Sequence, residues 1–439
     1  MPSADADAWA APVAAGPVDA VVTLPGSKSL TNRYLVLAAL AEEPSRLRAP
    51  LRSRDTTLMA AALRALGCRV EDAPAQSADW IVTPGPLSGP ASIDCGLAGN
   101  VMRFVPPLAG LARGPVAFTG DAHAASRPMA PVLGALRALG VAIDDGGRGG
   151  LPFTVAGSGQ VRGGEVTLDA SASSQFVSGL LLSGARYDDG VTVHHDGKSV
   201  PSLPHIEMTV ETLRDAGAVV DDSEPHTWRV EPSEINALDV VVEPDLSNAA
   251  QFLAAALVTG GRVRIPGWPQ YTTQGGDALR DILDQMGAEV HLDRDGLTVA
   301  AGEAIHGIDV DLHDSSELTP VIAALCAVAD GRSIIRGVAH IRGHETDRIA
   351  ALASELERVG CEVAQTADGL RITPRPLRAA RWQTYADHRM VMAGAVLGLV
   401  TPGLVVEDVG TVAKTLPTFV TLWDDMLRQG GTPRAGGGR

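Results

Sequence analysis

An α/β fold of two domains, each built from three copies of one small unit, is what the sequence predicts. Three observations carry that expectation. Five stretches in which a helix gives way to a strand look alike: ALRALGCRV, ALRALGVAI, TLRDAGAVV, ILDQMGAEV and ELERVGCEV. Their glycines, Gly67, Gly140, Gly217, Gly287 and Gly360, stand 73, 77, 70 and 73 residues apart, and a weaker copy sets Gly430 another 70 on. Six units of about 73 residues then account for all 439, more than one hydrophobic core's worth of chain.

Each element of the unit has its own signature. The five glycines sit where a helix ends, a place that favours a left-handed residue. A second helix family lies between them, opened by a polar turn and then apolar nearly all round: PGSKSLTNRYLVLAAL, AGNVMRFVPPLAGLA, SASSQFVSGLLL, DLSNAAQFLAAALV, SSELTPVIAALCAVA and YADHRMVMAGAVLGLV. Such helices are buried, whereas the helices before the glycines are amphipathic. Short strands such as AVVTL, WIVT, VTVH and GLTVA complete a βαβαββ-like unit. Solenoid repeats are shorter, about 20–50 residues, so each unit is a small subdomain. The domain break is expected between the third and fourth units, at VVVEPD, with the second crossing at Leu24–Pro25. One domain is then 25–243, the other 1–24 with 244–427. The Gly-rich end, 428–439, is expected to be a flexible tail.

Composition narrows the class. Hydrophobic residues make up 45% and charged residues 20%, the balance of a globular chain. Lys and Arg total 36 against 52 Asp and Glu, a net charge of −16, the wrong sign for a partner of nucleic acid. The longest apolar stretch, 390–400, is 11 residues, short of the roughly 18 that a membrane span needs. The first residues carry neither an apolar signal core nor Arg. Four widely spaced cysteines suit a reducing compartment, so a cytoplasmic protein is expected.

Pro25-Gly26-Ser27-Lys28-Ser29 lies between a strand and a buried helix. Backbone N–H groups at such a helix start suit a phosphate or carboxylate, and Lys28 and Arg33 add charge. The P-loop pattern fails here, because Lys28 follows Ser27 rather than Gly. A serine-capped helix with solvated basic residues explains this motif alone equally well. Taken singly, Ser173, Ser174 and Asp387 also suit helix caps, Glu317 and Glu345 suit acidic first turns, and Lys414 suits a surface lysine.

Taken together, PGSKSLTNR, AGNVMRF, SRPM, SASSQF, HETDR, YADHRM and AKTLP, in this order and spacing, resemble the 5-enolpyruvylshikimate-3-phosphate synthase family over about 21–423. The resemblance implies an inside-out α/β barrel, three repeats per domain, acting on shikimate 3-phosphate and phosphoenolpyruvate as a monomer, without metal or organic cofactor and with possible inhibition by glyphosate. In an acidic protein two such anions need a local concentration of cations. The six unit starts are expected to aim helix N-termini at one cleft, whose closure would expel water.

The resemblance further implies roles for particular residues. Shikimate 3-phosphate would be held by Lys28, Ser29, Arg33, Ser173, Ser174, Gln175, Ser202, Glu317 and His344. Phosphoenolpyruvate would be held by Lys28, Gly99, Arg127, Gln175, Arg348, Arg389 and Lys414. Glu317 is the expected general base toward the 5-hydroxyl. Lys28 and Glu345 are candidates to deliver the C3 proton, and Lys414 to assist the departing phosphate. The chain departs from the family pattern at Leu97, Asn100 and Phe104, which bears on glyphosate sensitivity. His205 replaces the usual Tyr and His344 the usual Lys, so binding of shikimate 3-phosphate is expected to depend on pH between 6 and 8. Glu317 aligns with the usual Asp only after a shift of about two residues. The related UDP-N-acetylglucosamine enolpyruvyl transferases carry a loop Cys that the segment 120–129 lacks. A non-catalytic scaffold would not need Lys28, Arg127, Glu317, Arg389 and Lys414 together.

Overall fold

The computed structural model describes residues 8–74 and 78–430. The chain divides into two compact units, Pro25–Glu243 and Met1–Leu24 with Pro244–Arg439. Each has its own hydrophobic core.

In the unit Pro25–Glu243 three four-stranded sheets share one plan. Ser45–Arg48 pairs in parallel with Asp239–Val241 and antiparallel with Trp80–Thr83, which pairs with Arg69–Asp72. Arg113–Thr119 stands likewise between Ala91–Asp94 and Phe153–Ser158, with Ala142–Asp144 outermost. Val191–His195 stands between Gly164–Leu168 and Thr227–Val230, with Val220–Asp221 outermost. The buried helices are α1 (Lys28–Leu40), α3 (Gly99–Ala109) and α5 (Gln175–Gly184), and the amphipathic ones α2 (Arg54–Ala65), α4 (Ala130–Ala138) and α6 (Pro204–Asp215). Helix α3 carries Pro106 and Pro107 in its interior. Proline at 107 lacks the N–H that would bond the carbonyl of Arg103. That carbonyl faces Gly179 of α5, where any Cβ would collide with it. The missing donor and the glycine together let two buried helices pack closely.

The second unit repeats the plan. Arg262–Pro266 stands between Asp19–Val21 and Gly296–Ala300, and Ser333–Arg336 between Asp309–Asp311 and Leu370–Thr373. Its third sheet is shorter: Val405–Val406 pairs with Arg381–Trp382 and with Trp9–Ala10. Helices α7 (Ala250–Thr259), α9 (Thr319–Ala327) and α11 (His388–Gly398) are buried, while α8 (Leu279–Gln285), α10 (Arg348–Arg358) and α12 (Phe419–Gly430) are peripheral.

All five repeat glycines have positive φ, from +87° at Gly217 to +113° at Gly360, the conformation that ends a helix at least cost to glycine. One boundary needs correction. The sequence sets the start of a tail at 428, but α12 continues to Gly430 because Phe419, Trp423 and Met426 bury one face of it. The remainder of that tail, 431–439, lies outside the described residues. Among the described residues no helix is long and apolar enough to cross a membrane.

Candidate functional site

Most of the expected site residues lie at or just before helix N-termini, whereas Arg127, His344 and Lys414 stand at the C-terminal ends of short 3₁₀ turns. In the unit Pro25–Glu243, Ser27 caps α1 by accepting the N–H of Leu30, which presents Lys28 and Ser29 on the first turn. Lys28 Nζ lies 3.4 Å from Asp55, a buried carboxylate in the first turn of α2. Arg33 is 1% exposed, and the partners of its guanidinium are neutral oxygens. It donates to Thr209 Oγ1 at 2.8 Å, to the Ser29 carbonyl at 3.0 Å and to the His205 carbonyl at 2.7 Å. Burial pulls its pKa down to about 9, leaving it a cation at neutral pH. A buried charge facing only dipoles makes this end of α1 electropositive.

Gly99 opens α3, and a Cβ placed on it would meet Gln175 Oε1 and Arg103 at 3.0 Å and Arg127 at 3.3 Å. Three of the expected phosphoenolpyruvate residues, Gly99, Arg127 and Gln175, therefore meet. Arg127 also donates to the Leu97 carbonyl at 3.1 Å. Ser173, Ser174 and Gln175 form the start of α5, where Ser173 Oγ accepts the Gln175 N–H at 3.2 Å and Ser174 is buried. Ser202 precedes α6, buried, with φ +52°, a conformation that costs a non-glycine residue energy and recurs at functional turns.

The second unit gathers the remaining residues around Arg348, the first residue of α10. Its guanidinium donates to Asp387 at 2.7 and 3.2 Å, to Glu345 at 2.8 Å and to His344 Nδ1 at 3.1 Å. Burial opposes its charge, but Asp387, Glu345 and Glu317 outweigh that and hold its pKa above the ordinary value. Lys414 bonds Glu345 in a buried ion pair. Asp387 also caps α11 through the Arg389 N–H at 2.9 Å. Arg389 reaches the Ser247 carbonyl at 2.9 Å. Burial lowers its pKa despite the neighbouring Asp245. His388 is buried, and burial together with Arg389 and Lys414 keeps its imidazole neutral. Glu317 sits in a 3₁₀ turn, Ser316–Leu318, just ahead of α9. Its charge acts on His340, whose pKa burial nevertheless lowers to about 4.

Every expected residue is placed. Lys28, Ser29, Arg33, Gly99, Arg127, Ser173, Ser174, Gln175 and Ser202 belong to the first unit; Glu317, His344, Glu345, Arg348, Arg389 and Lys414 belong to the second. Residues assigned to phosphoenolpyruvate thus fall in both units. Five charged or titratable groups beside these residues are given no site role in the sequence reading: Asp55, Arg103, His340, Asp387 and His388. Arg103 stands four residues after Gly99 on one helix face, a signal that was available. Asp387 reads as a cap in sequence and is one, but its pairing with Arg348 across 39 residues leaves no local trace.

Comparison with known proteins bears on this arrangement. The model of the EPSP synthase (3-phosphoshikimate 1-carboxyvinyltransferase) family matches residues 13–423. A 3-phosphoshikimate 1-carboxyvinyltransferase of Kocuria rhizophila is 54% identical over 430 residues, covering 96% of this chain and 97% of the relative. The structure of EPSP synthase from Acinetobacter baumannii superposes with a TM-score of 0.80 at 25% identity, covering 96% of this chain and 98% of that one. An enolpyruvyl transferase from Streptomyces tendae shares the fold, with a TM-score of 0.74 at 20% identity over 94% of this chain and 96% of that one. With a family model that covers nearly the whole chain and a relative identical at more than half its positions, the chain belongs to the EPSP synthase (3-phosphoshikimate 1-carboxyvinyltransferase) family.

Proposed function

We propose that this chain transfers the carboxyvinyl group of phosphoenolpyruvate to the 5-hydroxyl of shikimate 3-phosphate, the step of aromatic amino-acid biosynthesis that its family performs. The observation that carries the reading is the identity with the Kocuria relative across nearly the full length of both chains. The cations at helix starts support it. In the reaction C3 of phosphoenolpyruvate gains a proton while the 5-hydroxyl oxygen bonds to C2 and gives up its own proton. The tetrahedral intermediate then loses phosphate from C2 and a proton from C3, which restores the double bond.

Glu317 is proposed as the base for the 5-hydroxyl. Its neighbours Arg348 and Arg389 keep positive charge close to it. The Lys414–Glu345 pair offers a bound proton beside a carboxylate. Glu345 or Lys28 would serve C3, while Lys414 assists the leaving phosphate. Arginine at 127, 348 and 389 suits carboxylate and phosphate because its planar fork pairs bidentately. Lys28, Ser29, Arg33, Ser173, Ser174, Gln175, Ser202 and His344 are proposed to hold shikimate 3-phosphate. Gly99 lets phosphoenolpyruvate approach the backbone of α3.

The architecture is proposed to be the inside-out α/β barrel with six repeats, three in 25–243 and three in the remainder. The five four-stranded sheets with one plan, and a sixth of three strands, support it. The protein is proposed to be a cytoplasmic monomer, with glyphosate competing for the phosphoenolpyruvate site. The test is direct: purified protein with both substrates should form 5-enolpyruvylshikimate 3-phosphate, identified by mass, and Glu317→Gln should lower kcat by about 100-fold or more, the scale of one general base. A Glu317→Gln variant with unchanged kcat would remove Glu317 from that role.

A further inference from the structure

The stretches carrying Ser173, Ser174 and Ser202 leave the C-terminal ends of two adjacent parallel strands, Gly164–Leu168 and Val191–His195, with Leu168 opposite His195. His195 is the last residue of its strand, and its backbone N–H is fixed by the His226 carbonyl at 2.9 Å. Its imidazole spans the two departing loops. Nδ1 lies 3.0 Å from the Ala170 backbone nitrogen, while Nε2 bonds the Lys198 carbonyl. A backbone N–H can only donate, so Nδ1 accepts and the proton sits on Nε2, where it is donated to Lys198.

Both ends of this link lead to a serine. The Ala170 carbonyl accepts the N–H of Ser173 at 3.0 Å, so the residue that His195 holds also holds Ser173. On the other side Lys198 stands four residues before Ser202, whose backbone is left-handed. The carbonyl of Lys198 is a shared point: Ser171 Oγ donates to it as well, at 3.2 Å. Ser171 is turned by its N–H to Asp169 Oδ1 at 2.8 Å. Gly197 is required between them, because a Cβ there would run into the Asp169 carboxylate and the Ser171 hydroxyl.

We propose that His195 is a positioning residue for the phosphate of shikimate 3-phosphate, its imidazole setting the spacing between the Ser173–Ser174 turn and Ser202. The inference rests on the proposed function, in which these serines hold that phosphate. His195 itself touches no substrate, so its loss acts on one ligand group through two loops.

The test is a split in kinetic constants. His195→Ala should raise KM for shikimate 3-phosphate roughly tenfold, the size of one or two net hydrogen bonds, with kcat and KM for phosphoenolpyruvate within about twofold of the parent. Calorimetric titration should show the same loss for shikimate 3-phosphate and none for shikimate, which lacks the phosphate. His195→Asn, whose amide oxygen can still accept the Ala170 N–H, should recover part of the loss. Gly197→Ala, which forces the same loops apart with no imidazole removed, should reproduce it. If His195→Ala weakens both substrates and shikimate alike, the residue is a general brace and the proposal fails. It fails equally if no constant moves. Ser173→Ala and Ser202→Ala separate the two readings. If these leave KM for shikimate 3-phosphate unchanged, the serine assignment is wrong and the positioning role falls with it. If they raise it while the His195 variants do not, only the positioning role is lost.

Discussion

Arg348 and Asp387 illustrate how buried charge is balanced residue by residue. Their side chains are 3% and 0% exposed, so neither charge is solvated and each depends on the other. Asp387→Asn would leave a buried guanidinium with Glu345 as its remaining hydrogen-bonded acid, and would weaken the cap of α11. The expected cost is about 3–5 kcal/mol, the scale of a broken buried pair, read as a lower urea midpoint. A loss under about 1 kcal/mol, the range of an exposed pair, would show that these two residues are not the hub of the cluster. His340 and His388 make a second prediction. Both are neutral in the folded protein, His340 with a pKa of about 4 and His388 well below its ordinary value, chiefly through burial. As pH falls below about 6.5, the unfolded chain takes protons that the folded chain refuses. Stability is therefore full above that pH and declines as pH falls toward 4. His340→Asn should flatten the slope of the unfolding midpoint between pH 6.5 and 4; an unchanged slope would contradict the burial account. Residue types at the candidate site were legible, because anionic substrates demand Lys, Arg and helix starts. Their partners were not, since Lys414 meets Glu345 across 69 residues and Arg33 meets Thr209 across 176.

At the scale of elements, the repeat glycines give the cleanest tests. Gly140 has φ +90° with nothing within 4 Å of an added Cβ, whereas at Gly67, φ +108°, the Cβ would stand 2.7 Å from the Pro86 carbonyl. Gly140→Ala should cost about 1–2 kcal/mol, the backbone penalty alone. Gly67→Ala should cost more, because backbone must also move. Equal losses in thermal unfolding would refute the distinction. These turns were legible in sequence because the positive φ shared by all five selects glycine whatever packs against it. The buried helices were legible for a related reason, since an apolar circumference has no other use in a folded chain. The exact starts were less so. DLSNAAQF and SSELTP each open with a 3₁₀ turn before the α-helix proper, and the polar residues that spell out a helix start do not distinguish the two. The end of α12 is hidden in sequence for a similar reason: glycines at 430 and 431 signal a stop, while the anchoring of Trp423 in the core carries no local mark.

At the scale of the molecule, the two units have separate cores, each closed by a strand from a remote part of the chain: Asp239–Val241 in one, Asp19–Val21 in the other. Deleting the segment before residue 25 should therefore destabilise the second unit, by exposing the edge of Arg262–Pro266, and leave the hydrogen-exchange protection of α1, α3 and α5 intact. Loss of protection in all helices would contradict the independence of the cores. The central claim is that the protein carries a carboxyvinyl group to shikimate 3-phosphate and not to a UDP-sugar. The most direct test is phosphate release from phosphoenolpyruvate by the purified protein, without added metal, offering either shikimate 3-phosphate or UDP-N-acetylglucosamine. Release with shikimate 3-phosphate alone is the predicted result. Release with the UDP-sugar alone, or with neither while both anions still bind by calorimetry, would contradict it.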